Sequence, residues 1–241
     1  METVKSGWGE LVELTAFRRD RFGLVADIFE RESSEEAVAH MIAQARVFGR
    51  ELDDSAELAL NEGLCSLARD DVSVFAEKTR TEYARLFLGP REVVAPLHES
   101  AYLSGTPRMF TTETLAVRAF YERHGYTMKA KNREPEDAIG VELEFLRNLC
   151  SRCIALLESD NSSLDAVDEA RSLLDAQRSF AERHLGLWAH EFVKRVAEND
   201  KSGFYAVWAT YLSAVLHEDE ELLEESAQVL DRVERLLRAS A

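Results

Sequence analysis

Glu82-Tyr83-Ala84-Arg85-Leu86-Phe87-Leu88-Gly89-Pro90 begins the stretch that decides how this chain reads. Pro96-Leu97-His98-Glu99-Ser100-Ala101-Tyr102 follows. After a helical segment and a polar gap the stretch resumes at Glu134-Pro135-Glu136-Asp137-Ala138-Ile139-Gly140-Val141-Glu142-Leu143-Glu144-Phe145-Leu146. Val72, Phe75, Thr79, Tyr83 and Leu86 recur at three- and four-residue spacing, one face of a helix that Gly89-Pro90 ends. Pro135 suits a first helical turn, and Asp137 would then meet the positive end of that helix. The pattern is helix, stop, structured loop, helix, hinge, helix.

Working outward, the same period holds almost everywhere. A first helix is expected from about Trp8 to Phe29, burying Leu11, Leu14, Phe17, Leu24, Val25 and Ile28. Ser33 with Glu36 forms a capping-box pattern for a second helix, and a third follows Ser55. Residues 91–110 read as a loop with short structure at most. Thr111 or Thr112 caps a helix through Leu115, Phe120 and Tyr121 that Gly125 closes. A helix from Pro135 to about Glu158 carries the stripe Ile139, Leu143, Leu146, Cys150, Cys153 and Leu157, and Val141, Phe145 and Leu149 off that stripe imply burial on more than one side. Further helices are expected at Leu164–His184, Trp188–Val196, Phe204–His217 and Glu218 to about Arg238. No alternating strand pattern and no internal repeat occurs. The fold class expected is all-α, a helical bundle of two subdomains at 1–125 and 135–241 joined by a hinge at 126–134.

Composition agrees. With 46% hydrophobic and 31% charged residues, the 241-residue chain is of the globular class and can bury a core. Its 29 Lys plus Arg against 45 Asp plus Glu give a formal net charge of −16, which disfavours nucleic acid and suits a cationic partner. The N-terminus lacks the basic start and apolar core of a signal peptide, and no apolar run is long enough for a bilayer, so a cytoplasmic protein with no stable membrane insertion is expected. Three cysteines fit a reducing compartment.

Chemistry is sparse. No phosphate-binding Gly-x-x-x-x-Gly-Lys loop is present. No histidine has a glutamate three residues before it, and no His-Glu-x-x-His occurs, so neither a di-iron nor a zinc site is expected. His184 and His190 read as structural or surface groups. Cys150 and Cys153 lie on the apolar stripe of a helix and read as packed thiols rather than a redox pair. Glu142 lies only about 60° from the centre of that stripe at about 100° per residue. A glutamate there needs an internal partner, such as an arginine or a helix-end N–H.

The stretch quoted at the outset resembles the TorD/DmsD/NarJ family of molybdoenzyme-specific chaperones. The resemblance rests first on Tyr83, Arg85, Leu86, Phe87, Gly89 and Pro90. It continues through Pro96, Ser100 and Tyr102, and through Glu134, Pro135, Asp137, Glu142, Leu143, Phe145 and Leu146. Phe180, His184, Leu185, Trp188, Phe192 and the Phe204-Tyr205 pair extend it, while Ala138 stands where the family usually has histidine. The resemblance implies a cytoplasmic chaperone, not an enzyme, with no cofactor. It would bind an immature molybdopterin-dependent oxidoreductase, often at a twin-arginine N-terminal signal peptide, and act as a monomer or homodimer. It further implies client contact through Glu99, Ser100, Tyr102, Glu134, Asp137 and Glu142. The structural frame would come from Tyr83, Leu86, Phe87, Gly89, Pro90, Pro96, Pro135, Phe145 and Trp188. Two other readings stay open at this point: an all-α enzyme acting on a nucleotide, and a helical interaction domain of an unrelated regulatory complex.

Overall fold

The computed structural model describes residues 3–48, 56–67, 71–89, 93–104, 111–128, 135–159 and 163–240. Glu134, Pro90 and most of the expected hinge lie outside these. The described residues form helices α1 (Val4–Glu30), α2 (Glu35–Phe48), α3 (Ala56–Leu67), α4 (Val72–Tyr83), α5 (Glu99–Leu103), α6 (Thr112–Arg123), α7 (Ile139–Leu157), α8 (Leu164–Phe180), α9 (Gly186–Asn199) and α10 (Phe204–Ser240). Wide π turns at Ala84–Leu88 and Ala181–Leu185 continue α4 and join α8 to α9. Among the described residues the only β pairing is a single antiparallel bridge, His98 to Ala138. The fold is all-α, as the periodicity required, and no described helix is long and apolar enough to cross a membrane.

Local chemistry sets the helix ends. Thr3, Asp71 and Ser163 accept amides of their own first turns through side-chain oxygens. Ser34, not the expected Ser33, caps α2 by accepting the Ala37 N–H at 3.1 Å. Gly125 stops α6 at φ +80°, in the left-handed region that favours glycine.

Helix α1 packs most extensively on α7 and then on α10, so one continuous core joins the first and last thirds of the chain. The π turn after α4 places Phe87 amid Phe29, Tyr83, Phe192 and Tyr205, with ring centroids 5.0–6.2 Å away. A second aromatic group, Phe120, Tyr121, Phe145 and Phe180, lies where α6, α7 and α8 meet. The whole expected stripe of α7 is buried, together with Phe145 and Leu149, while Val141 is only half-buried. Cys150 and Cys153 are packed in it, and burial pushes their thiols up to about 12 and about 11, which makes them inert near neutrality.

Four further expectations are corrected. Helix α7 begins at Ile139 rather than Pro135, because Ala138 is extended (φ −79°, ψ 139°) and bridges to His98. The stretch 164–199 is continuous, with the π turn where a break was expected. The last two expected helices are one, the 37-residue α10. On α1, Phe17 and Leu24 are exposed and Arg18 is buried in their stead. The Phe17 ring packs under the Arg21 guanidinium at 4.7 Å. Arg18 makes a bidentate ion pair with Asp219 of α10, Nε–Oδ1 2.7 Å and Nη2–Oδ2 3.2 Å.

Candidate functional site

Five residues make α5, too few for a helix to hold its shape unaided. The turn 135–138 supplies what it lacks. Glu99 N–H donates to the Asp137 carbonyl at 2.9 Å, and Ser100 N–H donates to Asp137 Oδ2 at 2.9 Å. In return Ile139 N–H donates to the Leu97 carbonyl at 2.8 Å. Asp137 therefore caps α5, across 37 residues of sequence, and not the helix that follows it in the chain.

The turn is itself tied to α6. Arg118 grips Glu136 through two hydrogen bonds, 2.7 and 3.0 Å, and Tyr121 donates its hydroxyl to the Glu136 carbonyl at 3.1 Å. On the other side, Tyr102 donates to the Pro96 carbonyl at 2.8 Å and closes the loop. Its ring stacks on Trp188 of α9 at 5.2 Å, while the Arg195 guanidinium lies 4.8 Å from its centre. The neighbours in sequence of this pair, Leu103 and Leu187, are 40% and 51% exposed.

Beneath α5 lies a polar interior. Glu99, Asp137 and Glu142 are 2%, 0% and 0% exposed. Glu99 faces Nδ1 of His184, on the second π turn, at 3.0 Å. Glu142 Oε2 accepts the Trp188 indole N–H at 3.3 Å, and its Oε1 has no hydrogen-bond partner among the described residues. Burial, and then the neighbouring Glu99 carboxylate, hold Glu142 well above the usual carboxylate range. Burial lowers His98, whose Nδ1 meets no partner, and keeps it neutral. Among the described residues no group of acids, histidines and cysteines has the geometry to hold a metal ion.

Sequence reasoning named Glu99, Ser100, Tyr102, Asp137 and Glu142 from two separate segments, and the fold brings all five together around α5. Glu134 lies outside the described residues. Glu142 has an internal partner, but it is the Trp188 indole, not an arginine. The contacts Arg118–Glu136 and His184–Glu99 were not anticipated. His184 had been noted, yet nothing in its spacing pointed to Glu99, 85 residues away, and Arg118 carried no signal at all.

With this geometry described, comparison with known proteins adds a family. The family model described as nitrate reductase delta subunit matches residues 50–194, more than half the chain. The chain belongs to that family. The match covers α5, the turn at 135–138, α6, α7, His184 and Trp188. A chaperone protein TorD of Vibrio cholerae is 27% identical over 231 residues, 91% of this chain and 97% of the relative. A probable Tat proofreading chaperone DmsD of Haemophilus influenzae is 27% identical over 128 residues, 53% of each chain. A perchlorate reductase assembly chaperone protein of Dechloromonas aromatica is 32% identical over 110 residues, 44% of this chain and 46% of the relative. Each of the three is named a chaperone.

Proposed function

We propose that this protein is a chaperone, not a catalyst, that acts in the cytoplasm. It holds an immature molybdopterin-dependent oxidoreductase by its N-terminal twin-arginine signal peptide until the cofactor is inserted. One observation supports this most: five residues singled out from two segments for client contact meet around α5, in a chain whose relatives are named chaperones. In this reading the segment 126–134 is a hinge between halves 1–125 and 135–241, and α5 stands at the join.

The burial of the acids divides the labour. Glu99, Asp137 and Glu142 shape α5 from beneath, while Tyr102, Leu103 and Leu187 meet the client. Burying one Leu of the client contributes roughly 1.5–3 kcal/mol, whereas an exposed ion pair contributes about 0–1 kcal/mol. The apolar stretch of the signal therefore supplies the affinity. Its arginines are steered by the acidic surface, net charge −16, with Glu134 the candidate within the hinge segment.

The test is a titration of the full chain with a synthetic peptide carrying two arginines and an apolar run, read by the tryptophan fluorescence that Trp188 contributes. Saturable binding, weakened several-fold in Leu103→Asp with Leu187→Asp, supports the reading. Binding indifferent to both leucines, or no binding to any peptide of this class, overturns it.

A further inference from the structure

Helix α5 packs against α6 on one side and α9 on the other, and the two sides hold it differently. From α9 and the π turn before it, the ties reach α5 directly: His184 Nδ1 faces the Glu99 carboxyl at 3.0 Å, and the Trp188 ring stacks on Tyr102. From α6 they run through the turn 135–138. Arg118 grips both oxygens of the Glu136 carboxylate, and Tyr121 donates to the Glu136 carbonyl. The next residue, Asp137, accepts the Glu99 and Ser100 amides. The Glu136 side chain is only 3% exposed, whereas that of Arg118 is 17% exposed. A buried carboxylate stripped of its cation is costly, and turning out to water is its nearest relief. Asp137 is one peptide bond away, so the caps of α5 move with it.

We propose that Arg118 is a positioning residue of the client surface: acting through Glu136 and Asp137, it sets where α5 presents Tyr102 and Leu103. The proposal rests on the reading of α5 and α9 as that surface. The two hydrogen bonds of the guanidinium fix the orientation of the Glu136 carboxylate as well as its distance, which a single ammonium contact would not do. Without them the Asp137 caps shift away from the first turn of α5. The Glu99–His184 and Tyr102–Trp188 contacts still hold the helix to α9, so it is not released but pivots about them. Leu103 then no longer lines up with Leu187, and the apolar surface for the client is broken although neither leucine has changed.

Hydrogen exchange and peptide titration on the full chain test it together. In Arg118→Gln, protection of the Glu99 and Ser100 amides falls by about tenfold or more relative to amides in the middle of α10, the scale of one charge-assisted hydrogen bond. The two-arginine peptide then binds about threefold or more weakly, since only chains with α5 in place are competent. Arg118→Lys, which pairs Glu136 without stranding it, gives a smaller fall at the wild-type melting temperature. Arg171→Gln, which breaks the ion pairs of α8 with α10, is the control for mere loss of stability and leaves the ratio of α5 to α10 protection unchanged. Wild-type protection of α5 in Arg118→Gln overturns the proposal, and so does undiminished peptide binding by a variant whose α5 amides have lost protection. If Arg118→Gln does not fold, Arg118→Lys decides by the same two measurements. A wild type that binds no such peptide removes the client reading instead, and exchange still decides whether Arg118 positions α5.

Discussion

Asp137 caps a helix that lies before it in the chain: its Oδ2 accepts the Ser100 amide at 2.9 Å, and its carbonyl accepts the Glu99 amide at 2.9 Å. An acid written next to a helix start reads naturally as that helix's own dipole partner, and here it serves another. With Asp137→Ala, the buried Ser100 N–H loses its acceptor, at about 1–3 kcal/mol of stability. Asp137→Asn keeps an acceptor oxygen and costs less than the alanine change. Urea denaturation of both variants checks this, and an alanine variant as stable as the wild type contradicts it.

The buried pair Arg18–Asp219 clamps α1 to α10. Arg18→Met alone leaves Asp219 charged and enclosed, and the loss expected is about 3–5 kcal/mol. Arg18→Met combined with Asp219→Leu removes the stranded charge and recovers most of that loss. A double-mutant cycle by chemical denaturation reads the difference. Additive losses would mean that the two side chains do not act as a pair.

Gly140 sits where the start of α7 crosses the end of α1. A Cβ built there would lie 3.1 Å from the Glu30 Cα and 3.1 Å from its backbone nitrogen. Since backbone yields less than side chain, Gly140→Ala pushes the two helices apart and costs about 1–3 kcal/mol. Thermal melting checks it. An unchanged midpoint would show that the crossing has slack.

The all-α class and the stripe of α7 were legible because a helix leaves its period in the sequence, and the buried Leu86 follows from the same rule, whereas Phe87 was named only through the family resemblance. The faces of α1 were read less well. Phe17 and Leu24 fit an apolar stripe, but the stripe turns with the helix, and Arg18 takes the inner position because Asp219 is there to pair with it. That partner is 201 residues away, beyond the reach of any local pattern. The candidate site shows the same limit. Its members were legible one by one, through motifs, but their joint burial was not, since exposure depends on how α5, α6, α7 and α9 close around them. The helix start at Ile139 was misplaced for the same reason: Ala138 is held extended by its bridge to His98.

The central claim is that this chain grips an unfinished oxidoreductase through the surface presented by α5 and α9. Its most direct measurement is affinity capture by the tagged full chain in the source cell, followed by identification of what is bound. The wild type is expected to enrich the precursor of a molybdopterin-dependent oxidoreductase with its N-terminal signal still attached. The Leu103→Asp, Leu187→Asp double variant should lose at least about tenfold of that enrichment at unchanged melting temperature, which corresponds to about 1.4 kcal/mol of binding. Enrichment of no such oxidoreductase, or equal enrichment by the double variant, would contradict the account.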